Sequence, residues 1–282
     1  MRSKLYYVAY IALIILSASC SRQNEYAVPT AEVMREYRSS VSTSNLLTPS
    51  PFPLGRSTFQ LQVFSDSSSL AYDIYVESAR TFGGALTNVS IYLGDPLSEG
   101  PLLLELTGRY SAYNLTGFMK DVRRGLMDTL MNDQIEKYIL IKTKEAPQGF
   151  MRGQLNTDVT FSANTNLSGS NVTPAVTTTT TGNAQIRVVT TTNSLSPVRT
   201  MYSKVTLEND EPGDPATTAT INSGTVSSNG PSVFNLVAGS TFGQVNKTVL
   251  TEKEYQSFFS DPLFINVTSA GYKNGKIRGQ LR

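Results

Sequence analysis

The chain has 282 residues, which is enough for one large domain or two of ordinary size. Lys and Arg number 24 against 22 Asp and Glu, so the protein carries no strong positive field of the kind that attracts nucleic acid. It contains no histidine and one cysteine, which excludes Ser/His/Asp and Cys/His catalytic sites, zinc sites built from His and Cys, and an intrachain disulfide.

The N-terminus has the pattern of an exported protein. Arg2 and Lys4 precede an apolar run of twelve residues, Leu5 to Leu16, which is too short for an ordinary membrane span and suits the core of a signal peptide. Residues 1–19 are therefore predicted to be a signal peptide. Ordinary signal-peptidase cleavage at the small residues Ser17 and Ser19, which would free a soluble protein, is the alternative.

Cys20, the lone cysteine, follows this apolar run directly. Its setting resembles a bacterial lipobox, in which the thiol receives diacylglycerol, although Ser17 stands in the customary Leu slot and Leu16 lies one place further away. We expect Cys20 to be lipidated with acyl chains such as palmitate, and residues 20–29 to form a polar tether. The expected location is the bacterial cell envelope, anchored at the outer membrane or cell surface. Without Arg2 and Lys4 the mature chain has 24 − 2 = 22 basic and 22 acidic residues, a net charge of zero.

Beyond the tether the chain repeats itself. The segment MRGQL at 151–155 recurs as IRGQL at 277–281, an offset of 277 − 151 = 126. Gly55 and Gly182, each before or within a strand-like segment, are offset by 127, and the Gly-Pro pairs at 100–101 and 230–231 are offset by 130. Landmarks in the same order at nearly one offset indicate a duplicated domain, with copies at 30–156 and 157–282.

Within each copy the hydrophobic period is two, which predicts half-buried strands. Apolar residues alternate with polar ones in the segments 59–63, 70–77 and 184–188. Turn-forming residues separate the strands, and Asn274-Gly275 predicts a tight hairpin turn. One short helix is expected in each copy: at roughly 118–136 in the first, and after the capping box that begins at Thr251 in the second.

The repeated motif that ends each copy carries an arginine followed by a glycine: Arg152-Gly153 and Arg278-Gly279. A ligand-binding arginine is one interpretation. We favour a structural role, in which each guanidinium ties a neighbouring loop to the last strand of its copy.

The acidic cluster at 208–214 suggests a different chemistry. Glu208, Asp210 and Asp214 place oxygen ligands close together on a loop, which makes them a candidate Ca²⁺ site. The spacing does not match an EF-hand loop, and the first copy lacks the cluster. A solvated acidic loop is the favoured interpretation, and no metal or other cofactor is expected.

The second copy reads FSANTNLSGSNVTP at 161–174, TGNAQI at 181–186 and GYKNGKIRGQL at 271–281. This pattern resembles the CHRD (chordin) domain from end to end, and the first copy is similar over 55–76 and 147–155. The resemblance implies an all-β protein of two tandem immunoglobulin-like antiparallel β-sandwich or barrel domains, each with one short helix. Animal members of the family bind growth factors of the bone-morphogenetic class, whereas microbial members have no settled activity, so the resemblance implies fold better than function.

The family often carries an A-H-I-H-x-G stretch and a later histidine, and this chain has none. We match those positions to Ser90, Tyr92 and Lys142 in the first copy. In the second copy we match them to Lys204, Thr206 and Thr268. If histidines ligate a metal in relatives, this chain cannot do so in the same way.

These observations predict a surface-anchored lipoprotein that acts as a non-catalytic binding or structural module of the cell envelope, and not an enzyme. Its expected partners are the membrane, through the lipid, and an unknown protein or glycan ligand, with no nucleic acid. Exposed tyrosines such as Tyr75 and Tyr110 are candidates for that contact, although the absence of Trp argues against a carbohydrate platform. The alternative is a metal-dependent accessory protein or an enzyme whose site the sequence does not reveal.

Overall fold

The computed structural model of the chain describes residues 31–192, 195–238 and 241–282. Its regular structure consists mostly of antiparallel strands, which confirms the predicted all-β class. We call residues 31–156 the first half and residues 157–282 the second half. Within the described residues no helix has both the length and the apolar character that crossing a membrane requires.

The first half contains nine strands. They are β1 (Val33–Ser42), β2 (Arg56–Phe64), β3 (Leu70–Tyr75), β4 (Leu86–Leu93), β5 (Leu102–Glu105), β6 (Arg109–Tyr110), β7 (Asn114–Met119), β8 (Lys137–Thr143) and β9 (Met151–Gln154). All nine join one curled sheet in the order β5-β4-β8-β9-β1-β2-β3-β7-β6. The first and last strands of this half, β1 and β9, are therefore neighbours, and Ser42 pairs with Arg152.

The described residues of the second half form eight strands. They are β10 (Thr157–Leu167), β11 (Thr181–Thr191), β12 (Arg199–Glu208), β13 (Ala216–Ser223), β14 (Ser232–Ala238), β15 (Val245–Leu250), β16 (Leu263–Ser269) and β17 (Ile277–Gln280). They form two four-stranded sheets, β14-β13-β16-β17 and β10-β11-β12-β15. An isolated bridge between Ser168 and Arg278 connects β17 to the end of β10.

The two halves share one strand order. If the bridge at Arg278 is taken as the joint, the second half runs β14-β13-β16-β17-β10-β11-β12-β15. This is the order of the first half without its short edge strand β6. Ser168 and Arg278 also lie 126 residues after Ser42 and Arg152, so the sequence repeat coincides with a repeat of strand pairing.

Each half has its own apolar core, made by the alternation that the sequence shows. In β2 the side chains of Phe59, Leu61 and Val63 are fully buried, whereas Gln60 and Gln62 are partly exposed. The strands of the second half bury their apolar residues in a separate cluster. A small third cluster is formed by Leu97 of the first half with Val189 and Tyr202 of the second. The halves are therefore packed against each other as well as folded around separate cores.

Within the described residues the α-helices are α1 (Arg124–Met131) and α2 (Glu252–Ser260). Helix α2 begins with the predicted capping box, in which the Thr251 hydroxyl accepts the Glu254 amide and the Glu254 carboxylate accepts the Thr251 amide. Helix α1 is shorter than the predicted 118–136, because Phe118 belongs to β7 and pairs with Ala71. Asp121 then has a φ of 57°, which ends the extended segment before the helix begins.

Candidate functional site

Arg152 is a buried charged residue of the first half that binds a loop of the same half. It lies in β9 with 3% of its surface exposed, and its Nη2 donates to the carbonyl oxygens of Asp95 and Ser98, both at 2.7 Å. The guanidinium carbon lies 3.5 Å from the centre of the Tyr138 ring. Burial lowers the pKa of Arg152 to about 10, and the nearby Tyr138 and acidic groups act in the opposite direction, so the group stays charged at neutral pH.

Arg278 makes the same contacts in the second half. It is 1% exposed, and its Nη2 donates to the carbonyl oxygens of Thr225 at 2.5 Å and Ser228 at 3.0 Å. These acceptors lie 130 residues after Asp95 and Ser98. The guanidinium carbon lies 3.4 Å from the centre of the Phe264 ring, which takes the place of Tyr138. The repeat therefore extends from strand order to individual hydrogen bonds.

The glycine after each arginine lies where two strands come very close. A Cβ on Gly153 would lie 2.6 Å from the carbonyl oxygen of Ser40, and one on Gly279 would lie 2.7 Å from that of Asn166. Only glycine leaves room for this approach. Together with the contacts of the arginines, this close approach of two strands supports the interpretation that both Arg-Gly pairs serve folding and do not bind a ligand.

A cleft lies on the same sheet face as Arg152 in the first half, and we call it the Tyr92 cleft. Its volume is about 500 Å³. Its lining comes from the loop after β1, the end of β4, strand β8 and the loop between β8 and β9: Leu46, Leu47, Thr48, Pro49, Ser50, Pro51, Phe52, Tyr92, Glu99, Gly100, Tyr138, Leu140, Lys142, Glu145, Ala146, Pro147, Gln148, Gly149 and Arg152. The rings of Tyr92 and Tyr138 stack with centroids 5.3 Å apart and planes 11° apart.

The equivalent place in the second half is smaller and more polar. Its cavity has a volume of about 280 Å³ and borders Arg278. Asn222 pairs with Phe264 there as Tyr92 pairs with Tyr138, so an amide replaces the outer aromatic ring. The Asn222 amide donates to the carbonyl oxygen of Gly230 at 3.0 Å. The second half thus keeps the arginine contacts without the aromatic stack.

The pairing of strands corrects one assignment made from the sequence. Ser90 and Tyr92 lie on β4, next to the strand that carries Lys142, as expected. Lys204 and Thr206 lie on β12, which pairs with β11 and β15 and not with the strand of Thr268. The counterparts of Ser90 and Tyr92 are Thr220 and Asn222 on β13, because these face β16 in the same register. Strands β12 and β13 both alternate with a period of two, so residue spacing alone did not show which of them corresponds to β4.

The acidic loop at 208–214 binds the side chain of a lysine from another part of the chain, Lys276. The buried Nζ of Lys276 donates to Asp210 Oδ1 at 2.9 Å and to the carbonyl oxygen of Asp214. The Asp214 carboxylate accepts from the Ser269 hydroxyl and the Gly271 amide, and these hydrogen bonds hold its pKa below the usual range.

No group of three or more Asp, Glu, Cys or His residues is placed to hold a metal ion in the part of the chain that the structure describes. Glu208, Asp210 and Asp214 are therefore not brought together as a calcium site. The positive charge at this loop is the Lys276 ammonium group, which is bound by the Asp210 carboxylate and by the main-chain carbonyl group of Asp214.

Arg187 joins the two halves, which the sequence did not reveal. It is fully buried on β11, and its Nη2 donates to the carbonyl oxygen of Leu46 at 2.9 Å. Gln185, on the same face of the strand, donates to the carbonyl oxygen of Leu47 at 2.6 Å. Burial lowers the pKa of Arg187 to about 10, and the nearby charge of Arg152 acts in the same direction. The residues that receive these bonds form one wall of the Tyr92 cleft.

Other residues named from the sequence have less distinctive surroundings. Tyr75 is 49% exposed, whereas the Tyr110 hydroxyl donates to the carbonyl oxygen of Leu106 and accepts the Val89 amide. Cys20, the predicted signal peptide at 1–19 and the tether at 20–29 lie outside the described residues.

Comparison with known proteins gives one family match. Residues 163–281 match the model of the CHRD domain, and the match does not extend to the first half. Searches of curated proteins and of solved structures found no match. The matched segment begins within β10 and extends past the end of β17, so it contains the complete Arg278 site. Residues 163–281 are accordingly assigned to the CHRD domain family.

Proposed function

We propose that the protein is a surface-anchored lipoprotein that acts as a non-catalytic binding or structural module of the bacterial cell envelope. In this proposal its folded part consists of two tandem immunoglobulin-like CHRD domains, at 30–156 and 157–282. The observation that carries the proposal is the repeated site around Arg152 and Arg278, because its polar groups bind the protein's own loops and create no reactive group.

The first half is proposed to be a diverged CHRD domain because it repeats the matched half in detail. Strand order, the pairing of Ser42 with Arg152 and the hydrogen bonds to the loop after β4 all recur in the second half. Asn45 and Asn171 also donate to the carbonyl oxygens of Arg152 and Arg278, both at 3.1 Å. Such agreement is expected when one domain is duplicated and its surface then changes faster than its framework.

A binding or structural role is favoured by where the polar side chains are used. The two arginines are buried and satisfied by backbone carbonyl groups, and Lys276 is satisfied by the acidic loop. Catalysis needs a nucleophile or a base held free to react with a substrate, and these buried groups are not free.

The anchor is proposed from Cys20 and the apolar run before it. One acyl chain binds a membrane only marginally, whereas the two chains of a diacylglycerol hold a protein stably. The polar residues that follow would keep the folded halves away from the bilayer.

Replacing the cysteine tests the anchor. We expect Cys20→Ser to move the protein from the membrane fraction to the soluble fraction of expressing bacteria and to abolish incorporation of labelled palmitate. The neighbouring Ser21→Ala variant keeps the thiol and is expected to stay in the membrane fraction. A Cys20→Ser protein that remained in the detergent-extracted membrane fraction would refute the lipid anchor.

A further inference from the structure

Tyr92 presents an aromatic face to solvent. The ring of Tyr138 lies between the Arg152 guanidinium and the ring of Tyr92, with 3.5 Å to the first and 5.3 Å to the second. Because one face of Tyr92 packs on Tyr138, the other face borders the cleft that both rings line. Arg152 is fixed by two backbone carbonyl groups, so this stack is held rigidly. A rigid aromatic face offers contact area at a low cost in conformational entropy.

The rim of the same cleft carries charged groups of both signs. Lys142 is partly exposed, and Glu99 and Glu145 are exposed. In the described part of the chain, these three side chains make no hydrogen bond or ion pair. An ammonium group needs an acceptor and a carboxylate needs a donor, so a ligand that covers this rim must supply both.

Another part of the cleft lining, the loop after β1, is held by contacts from both halves. Phe52 packs edge-to-face on Phe150, with ring centroids 5.4 Å apart. The backbone of Leu46 and Leu47 is held by side chains of β11. The cleft thus has two positioned walls, and its volume of about 500 Å³ lies in the range of small-molecule sites.

We propose that the Tyr92 cleft binds a neutral oligosaccharide. Sugar hydroxyls both donate and accept, which satisfies Glu99, Glu145 and Lys142 together, while the apolar face of a sugar ring stacks on Tyr92. A wholly apolar ligand would leave the rim charges desolvated. A polyanion would meet two exposed carboxylates and one free ammonium group, because the Arg152 guanidinium is buried and bound to backbone carbonyl groups. The proposal rests on the binding role proposed above and names the class of ligand.

The test is calorimetric titration of the full chain in detergent micelles. The probes are the tetrasaccharides of β-1,4-linked N-acetylglucosamine, glucose and xylose, and of α-1,4-linked glucose, with tetragalacturonate as the anionic comparison. We expect at least one neutral tetrasaccharide to bind and tetragalacturonate to bind more weakly. Tyr92→Ala is expected to weaken that binding at least tenfold, whereas Tyr75→Ala, which removes an exposed tyrosine elsewhere, should leave it unchanged.

Lys142→Met serves as a second variant if Tyr92→Ala fails to fold, and a loss of affinity is expected there too. The proposal is overturned if no neutral tetrasaccharide binds, if tetragalacturonate binds best, or if folded Tyr92→Ala and Lys142→Met bind as the wild type does. Chromatography of the recovered sugar separates this result from the proposed function. Intact sugar agrees with a non-catalytic module, whereas cleaved sugar would refute that role and leave the binding site standing.

Discussion

Single residues decide how each half closes, and the two buried arginines show this most directly. Each guanidinium reaches two carbonyl oxygens of one loop while its flat face covers an aromatic ring. A planar group with several fixed donors can do both at once, whereas a lysine ammonium group cannot. Arg152 therefore provides part of the attachment of the loop between β4 and β5. Arg278 does the same for the loop between β13 and β14.

Replacing Arg278 should destabilise the protein whether or not a ligand is present. We expect Arg278→Ala to lower the free energy of unfolding by about 1–3 kcal/mol, the range for leaving buried partners without a hydrogen bond. Urea unfolding followed by circular dichroism measures this change. Arg124→Ala, whose side chain is 91% exposed, is the control and should change stability little. Equal midpoints for the two variants would assign Arg278 to a role other than folding.

Lys137 gives the stability a pH dependence in the alkaline range. Its Nζ donates to the carbonyl oxygens of Asn132 and Ile135, both at 2.6 Å, and burial lowers its pKa from 10.5 to about 8. Between about pH 8 and 10.5 the unfolded chain binds more protons at this residue than the folded protein does. Its contribution to stability therefore rises with pH through that window.

We accordingly expect the melting temperature of Lys137→Met, relative to the wild type, to fall as the pH rises from 7.5 to 9.5. Subtracting the wild-type curve removes the effects of the other titrating groups. Lys144→Met changes an exposed lysine of the same half and should show no such trend. Parallel curves for wild type and Lys137→Met would show that the folded protein does not shift the pKa of Lys137.

At the scale of strands and helices, the sequence predicted what depends on local pattern. The alternation at 59–63 and 70–77 gave strands with the correct buried faces, because one face of each packs on a core. The capping box at Thr251 gave the start of α2. The helix expected from 118 was too long, because pairing of Phe118 with Ala71 is a tertiary interaction that the local pattern does not contain.

Strand β11 shows why part of the structure could not be predicted. Its alternation of apolar and polar residues indicates one solvated face, yet Arg187 on the polar face is fully buried. The partner of that face is the loop after β1, more than a hundred residues away. In a sequence, the polar face of a strand indicates exposure to solvent unless the segment that covers that face is known. The repeat predicted Arg152 and Arg278, whereas the first half has no copy of the Arg187 contact to reveal it.

For the molecule as a whole, we expect the contacts between the two halves to make them unfold as one cooperative unit. Tyr202 and Lys247 of the second half both donate to Glu136 of the first, at 2.5 and 2.6 Å. Arg187 and the small apolar cluster around Val189 add contacts at the same boundary. Unfolding the first half alone would remove the Leu46 acceptor from Arg187 Nη2, although Nη1 keeps its acceptors within the second half.

We expect differential scanning calorimetry to show one unfolding transition for the wild type and two for Arg187→Met, because the variant removes a buried charged side chain from the boundary and leaves the Leu46 carbonyl group without its donor. Lys253→Met, on the exposed side of α2, is the control and should keep a single transition. Two transitions in the wild type would show that the halves unfold independently. A single transition in Arg187→Met would place the coupling in the other contacts.

The hydrogen bonds that the second half makes to the loop after β1 run in one direction only. Ser162, Gln185 and Arg187 donate through their side chains, and every acceptor, on residues 44, 46 and 47, is a main-chain carbonyl group. Substitutions at 44, 46 and 47 leave those acceptors in place, whereas substitutions at the three donors do not. During evolution the cleft wall is thus free to change its side chains while its path stays constant. The side chains of one half can change at this wall because the other half holds its backbone in place.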